Sequence, residues 1–343
     1  MNLSLGLDIG SHTIKLIELG LEGNSVGLLA AGSVPTPPKA LTSSVPADTE
    51  AIAQTIKRLM KETGAKSKEV HIALPESKVF TRVIDVPALS QRELTSAIRW
   101  EAEQYIPLPL DQVNLDFTVL RDAKETGTNK MEVLLVAAPK TLLDRYLSIL
   151  ELAELQPVAA ETEIIATTRA LTRSVPNVRS VMIVSLGAQT TDIAIVRAGT
   201  LTFTRSLPAG GDALTRALAQ SLDFNLTQAE EFKRTYGVQP DKLEGKISAA
   251  AKPITDTIAN ELKRAQVFYQ DKYKEDHVQL VLLSGGTARL PGMVVYLAQS
   301  LGVEVQLANP WIGIARVSRF NVLTTEGPNF CVAVGLALRH ENN

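Results

Sequence analysis

Residues 8–13, Asp8-Ile9-Gly10-Ser11-His12-Thr13, and residues 185–190, Ser185-Leu186-Gly187-Ala188-Gln189-Thr190, decide how this chain folds. Each stretch joins one apolar run to another through a short turn: LSLGLDI to TIKLIEL in the first, VMIVSLG to TDIAIVR in the second. Apolar segments broken by glycine-centred turns read as strand-turn-strand units. One constant offset of 177 residues aligns the two units, and each leads into a third strand-like run, SVGLLAAGSVP or TLTFTRSLP. The chain therefore repeats itself, and two α/β half-molecules with facing hairpin turns are implied.

Working outward, a helix is predicted near 47 to 63, with Ile52, Ile56 and Leu59 on one face and Gly64 as its stop, followed by the strand EVHIALP. Residues 79–156 form a separate small α+β insertion. It comprises strand KVFTRVIDVP, a helix over 90–105, strand NLDFTVL, a polar hairpin turn KETGTNK, strand MEVLLVAAP and a helix over 141–155. Its first helix opens on Ser90 and Glu93 in capping-box spacing, lines Leu94, Ile98, Ala102 and Tyr105 along one stripe, and ends at Pro107. Trp100 lies off that stripe, so it either faces a groove or packs within its own subdomain. A helix near 162 to 173 precedes the repeat. After it come helices from about 210 to 275, strand VQLVLL, the turn SGGTARLPG, a helix, strand VEVQL and a terminal helix. The division expected is 1–78 for the first part of domain I, 79–156 for the insertion and 157–178 for a return to domain I. Domain II would be 179–327, mostly helical over 210–275, with 328–343 a terminal helix packing back on domain I.

Bulk properties suit this plan. A chain of 343 residues fits two domains, and 45% hydrophobic residues is a globular fraction. No apolar run is long enough to span a bilayer, and the start MNLSLGLDIG lacks a signal-peptide pattern, so a soluble cytoplasmic protein is expected. Thirty-five basic against 37 acidic side chains, without a basic block, leave no footprint for nucleic acid. Cys331, the single cysteine, sits in the apolar stretch FCVAVGLAL and reads as packing. His12, His71, His277 and His340 are scattered, so a metal would be held by oxygens.

Backbone N–H groups grip a phosphate chain only where the backbone comes close, which favours Gly, Ser and Thr in tight turns. Both hairpins supply such turns. Asp8 ends an apolar strand, where a bare carboxylate is costly; it needs a metal, a hydrated metal or Lys15, and magnesium with nucleotide phosphates fits best. Alone, D-I-G-S is an ordinary hairpin signal, and the second copy is what points to a phosphate site. A third turn, Ser284-Gly285-Gly286-Thr287-Ala288-Arg289, follows an apolar strand. Taken singly it is a strand-to-helix turn. Glu230, Lys233 and Arg234 share a helical face after Thr227, which is read as the cap in a box with Glu230; taken singly they are a solvated charged face.

The order of two hairpins, an E-x-x-K-R helix and a G-G-T-x-R turn resembles the actin-like ATPases, whose duplicated ribonuclease H-like fold holds ATP between its halves. By that resemblance Ser11, His12, Thr13 and Lys15 would face the phosphates, with Gly187, Ala188, Gln189 and Thr190 opposite and Asp8 near magnesium, acting through water. Gly210, Gly211, Glu230, Lys233, Arg234, Gly285, Gly286 and Arg289 would surround the nucleoside. Three further stretches, IRWEAEQYIPLPLDQVNLDF, AEEFKRTYG and GPNFCVAVGLALR, make the chain similar to the PilM family of the type IV pilus machine, which is related to FtsA. That resemblance covers essentially the whole chain. It implies an ATP-bound cytoplasmic platform that takes the N-terminal cytoplasmic tail of PilN in a groove beside the insertion, where Trp100, Tyr105 and Ile106 are candidate contacts. Pilus motor ATPases and a second copy of the chain are further candidate partners, and recruitment to the inner membrane would be peripheral, through partners.

One departure bears on turnover. Position 185, where the superfamily carries an aspartate that helps place magnesium and the attacking water, is serine, and loss of that charge predicts binding with slow hydrolysis. Glu161 or Gln189 would then position the water, while Asp192 is read as stabilising its own strand end. The alternatives are an FtsA-like filament-forming ATPase or a small-molecule kinase on the same fold. The ending LALRHENN lacks the amphipathic anchor of FtsA, and a kinase needs a base for which only Glu161 offers itself.

Overall fold

A computed structural model describes residues 2–22, 25–38, 45–274 and 276–339. The opening meander is β1 (Asn2–Ile9), β2 (Thr13–Glu22) and β3 (Ser25–Pro35), followed by α1 (Pro46–Thr63) and β4 (Glu69–Leu74). Gly64 adopts a left-handed φ of 72° and its N–H returns to the Met60 carbonyl, ending α1 where the sequence placed the stop. Next come β5 (Phe80–Pro87), α2 (Gln91–Glu103), β6 (Val113–Arg121), α3 (Ala123–Thr126), β7 (Lys130–Pro139) and α4 (Lys140–Leu152). The chain continues through β8 (Gln156–Thr162), α5 (Glu163–Thr172), β9 (Ser180–Leu186), β10 (Thr191–Arg197) and β11 (Thr200–Leu207). It then runs through α6 (Gly211–Leu222), α7 (Leu226–Tyr236), α8 (Lys246–Lys272), β12 (Leu280–Ser284), α9 (Met293–Leu301), β13 (Glu304–Leu307), β14 (Ile314–Ala315) and α10 (Gly327–Ala337).

Two sheets carry the duplication. One runs β14-β3-β2-β1-β4-β8 and the other β11-β10-β9-β12-β13. Each sets an antiparallel meander beside two parallel strands, so β4 and β8 stand where β12 and β13 stand in the second copy. This is the duplicated actin-like architecture. Strand β8 is absent from the sequence reading. Its residues, QPVAAET, include only Val158 and Thr162 as β-branched types, so pairing with β4 rather than intrinsic preference makes it a strand. The polar turn KETGTNK likewise contains one helical turn, α3, capped by Asp122 and closed at Gly127.

Helices α5 and α10 lie between the sheets. Their core joins Ile17 and Leu19 of β2, Ile183 of β9, Ala194 of β10, and Phe330 and Val334 of α10. Cys331 is buried in it. A Cβ on Gly335 would stand 1.8 Å from the Ala166 carbonyl oxygen, so the backbones of α10 and α5 touch at a point where no side chain fits. Residues 340–343, the end of the expected terminal segment and the site of His340, lie outside the described residues.

The insertion has its own antiparallel sheet, β5-β7-β6. Val133, Leu135 and Ala137 of β7 meet Leu94, Ile98 and Ala102 of α2, while the intervening Leu134 and Val136 turn toward the main body. Ser90 and Glu93 form the expected capping box. Trp100 is 75% exposed, which removes the reading that packs it within the insertion. Ile106 is buried in the insertion's core and so is not a groove residue, and Tyr105 lies beneath the Arg82 guanidinium at 5.2 Å. Among the described residues no helix is long and apolar enough to cross a membrane.

Candidate functional site

The two hairpin turns close in the same way. Gly10 donates its N–H to the Thr13 carbonyl at 3.1 Å, and Gly187 donates to that of Thr190 at 2.9 Å. Register places Asp8 opposite Lys15 and, in the second copy, Ser185 opposite Asp192. Directly opposed residues of an antiparallel pair share a face. The acid therefore sits on the first strand in one hairpin and on the second strand in the other. Asp8 is buried, with Lys15 Nζ 2.9 Å from its Oδ2. Asp192 is also buried and accepts hydrogen bonds from Thr190 Oγ1 at 3.0 Å and Ser206 Oγ at 2.5 Å. It does brace its own strand, as expected, yet it also returns to this level of the fold the carboxylate that Ser185 omits.

Two acids that the sequence reading passed over complete the floor between the hairpins. Glu163 opens α5, and its carboxyl is raised well above the ordinary range by burial and then by Asp8, Asp192 and Glu76. Glu76 follows β4, in a 3-10 turn over Glu76–Lys78, and accordingly rises to about 7 through burial and Asp192. Burial, opposed by hydrogen bonds from Ser206 and Thr190, pushes Asp192 to about 6. Positions 8, 76, 163 and 192 share no spacing, so only tertiary structure unites them. The one local signal was a glutamate beside Thr162 at the start of an apolar helix.

Glu161 requires correction. Arg169 grips both its oxygens, at 2.5 and 2.6 Å, and Arg339 takes one again at 2.6 Å. Arginine N–H groups thus take three of its roughly four lone-pair sites, which makes it the anchor of an ion-pair cluster more than a free base for water. Gln189 stands exposed at the tip of the second hairpin.

Several buried polar atoms around the acid floor lack a hydrogen-bond partner, among them Glu76 Oε2, Thr162 Oγ1 and Tyr146 Oη. Mutually repelling carboxyls and orphaned oxygens suit a hard cation with its water shell. Among the described residues no group of three or more His, Cys, Asp or Glu side chains has metal-holding geometry by itself. Magnesium would thus fit as a hydrated ion near Asp8, sharing ligands with phosphate oxygens, rather than in an all-protein cage.

The remaining candidates converge on Gly187. Its carbonyl accepts the Gly211 N–H at 3.0 Å and Thr287 Oγ1 at 2.9 Å, joining the second hairpin, the start of α6 and the Gly-Gly-Thr turn. The Ala188 carbonyl accepts the Asp212 N–H at 2.8 Å. Gly285 has a φ of 85°, and a Cβ there would stand 2.4 Å from the Leu186 carbonyl oxygen. Only glycine fits. Lys233 is buried, with Nζ 3.0 Å from the Gly211 carbonyl, 2.8 Å from Thr215 Oγ1 and 2.6 Å from Glu230 Oε2, and Arg234 holds the other Glu230 oxygen at 2.7 Å. The E-x-x-K-R face is therefore a brace on α6 and not a freely solvated surface. Its helix is capped by Asn225 in a reciprocal box with Gln228, which replaces the expected Thr227 and Glu230 pairing. Arg289 pairs with Glu326 at the edge of the group. His12 reaches across from the first hairpin to Asp212, a partner not anticipated from sequence.

A family model described as type IV pilus assembly protein PilM matches residues 6–341. Among solved structures, the chain is similar to one in a PilM-PilN type IV pilus biogenesis complex, with a TM-score of 0.87, 33% identity and 99% of each chain covered. It is 24% identical to the cell division protein FtsA of Streptococcus pneumoniae, over 89% of this chain and 75% of that protein. MreB 5 of Spiroplasma citri bound to AMPPNP shares the fold at a TM-score of 0.53 and 13% identity, covering 99% of this chain and 96% of that one.

Proposed function

We propose, from the premise that this chain belongs to the family of the type IV pilus assembly protein PilM, that it is an ATP-binding scaffold which captures the N-terminal cytoplasmic tail of PilN. The observation that carries the nucleotide part is the convergence just described: twin hairpins close over one acid floor, and a third glycine turn joins the second of them at Gly187. Backbone N–H groups at Ser11 to Thr13 and at Ala188 to Thr190, with the Lys15 ammonium, are the phosphate-facing groups, while the Gly187 N–H closes its own turn. Gly210, Gly211, Gly285 and Gly286 bring the backbone near the nucleoside, and Glu230 with Lys233 and Arg234 stiffens that wall. Magnesium, when bound, supplies the positive charge that lets the buried acids ionise together.

Holding ATP rather than spending it is the reading the site supports. Of the two water-positioning candidates, Glu161 is held by two arginines, and Gln189 is at an exposed tip. The likeness to the PilM-PilN chain over 99% of both molecules supports the partner. Exposed Trp100 on α2 is the aromatic anchor we assign to the peptide groove. Recruitment to the inner membrane then follows from PilN, with motor ATPases and self-association as further roles of the same platform.

Calorimetry of the full chain against ATP with magnesium, and against a synthetic peptide of the N-terminal PilN tail, tests this directly. Saturable binding of both is expected. A chain that binds peptide but no nucleotide loses the ATP part, and one that binds nucleotide but no peptide loses the scaffold part.

A further inference from the structure

The acid floor includes a residue that belongs to the root of the inserted domain. Glu76 lies in the segment between β4 of the first sheet and β5 of the insertion, 94% buried. Its backbone N–H is 3.5 Å from Glu163 Oε2. The hydroxyls of Thr81, the second residue of β5, and Thr162, the last of β8, face its carboxyl and lower its proton affinity, but neither reaches Glu76 Oε2 with close hydrogen-bond geometry. A buried carboxyl oxygen so loosely met is expensive, at roughly 1–3 kcal/mol. Its retention fits a water or a water-bearing ligand of the cleft reaching it.

The hinge also touches the second half. Thr204 of β11 donates Oγ1 to the Thr81 carbonyl at 3.0 Å, and two residues on, Ser206 donates to Asp192 on the acid floor. One strand thus contacts both the floor and the first strand of the insertion. Farther out, Lys272 and Tyr273 at the end of α8 bond Glu132 of β7, both at 2.9 Å, so the insertion is seated on domain II at two levels.

We propose that Glu76 is a further residue of the nucleotide cleft, supplied by the root of the insertion, and that through it cleft occupancy sets the seat of the inserted domain and so its affinity for a peptide. This rests on the nucleotide and peptide reading above. A phosphate-bound hydrated cation would satisfy Glu76 Oε2 and draw the Glu76 to Thr81 segment toward the floor, while β11 carries the same change from Asp192. Coupling of this kind is reciprocal, and each ligand must shift the other's affinity by one factor.

The test is a set of six titrations of the full chain: the N-terminal PilN peptide, with and without saturating ATP and magnesium, in the unsubstituted protein, in Glu76→Gln and in Thr204→Val. Thr204 lies outside the cleft, so its variant covers failure of Glu76→Gln to fold. The unsubstituted chain is expected to change peptide affinity at least about fivefold on nucleotide binding, and both variants to reduce that ratio to within about twofold. Ratios unchanged in both variants overturn the role of the hinge. A ratio near one in the unsubstituted chain, with both ligands binding, overturns the coupling and leaves the proposed function standing, whereas failure of either ligand to bind that chain sinks the function itself.

Discussion

His12 Nε2 lies 3.2 Å from Asp212 Oδ1, tying the tip of the first hairpin to the first turn of α6 across the cleft. The hydrogen bond to Asp212 raises the imidazole above its ordinary value, against the lowering effect of burial. A group whose folded value is raised contributes stability fully below its unfolded value and loses it as pH climbs through the folded one. The melting-temperature advantage of the native chain over His12→Gln should therefore be largest below about pH 6.5 and fade at alkaline pH. An advantage that grows with pH would contradict the bridge.

Lys15→Ala leaves Asp8 buried without its partner. Removing one member of a buried pair costs about 3–5 kcal/mol, so denaturant unfolding should show a loss of that order. Nucleotide retained through purification should fall as well. Unchanged retention would count against Lys15 as a phosphate contact.

Neighbouring glutamates separate two roles. Glu161→Gln strips charge from the contacts with Arg169 and Arg339 and should lower the melting temperature while leaving the magnesium dependence of ATP binding intact. Glu163→Gln should alter that magnesium dependence, read by calorimetry across a magnesium series. The reverse pattern would return the functional role to Glu161.

Burial alone would raise the Glu230 carboxyl, but hydrogen bonds from Lys233, Thr215 and Arg234 override it and hold it at about 2. For a depressed acid, stability is present above the unfolded value and lost as pH falls toward the folded one. Acid unfolding of the native chain should therefore be steeper between about pH 4.5 and 2 than that of Glu230→Gln. Parallel curves would place the brace's energy elsewhere.

Gly335→Ala drives a methyl group into the Ala166 carbonyl. Either α10 or α5 must move, and overpacking of this kind costs typically 1–3 kcal/mol. A melting temperature within experimental scatter of the native one would show that the two helices are looser than their contact implies.

Much of the architecture was legible from local pattern, because a strand-turn-strand unit announces itself by alternation and a glycine turn, and repetition at one offset announces the second half. Asp8, Lys15 and the two hairpins could be named in advance for that reason. Strand β8 could not, since its pairing with β4 outweighs a sequence that does not favour strand. The same limit applied to the site. Glu76, Glu163 and Asp192 come from three separate segments and meet Asp8 only when the sheets and α5 pack; burial then raises their proton affinity, and neighbouring acids add to it at Glu76 and Glu163. Glu161 and Glu163 are two residues apart and look interchangeable in sequence. Packing sends the first to two arginines and the second to the acid floor, because residues on either side of a strand end point in directions that only the surrounding helices assign. The chain's pattern thus determined two clamped halves around a shared cleft, and the tertiary structure decided which carboxylates that cleft contains.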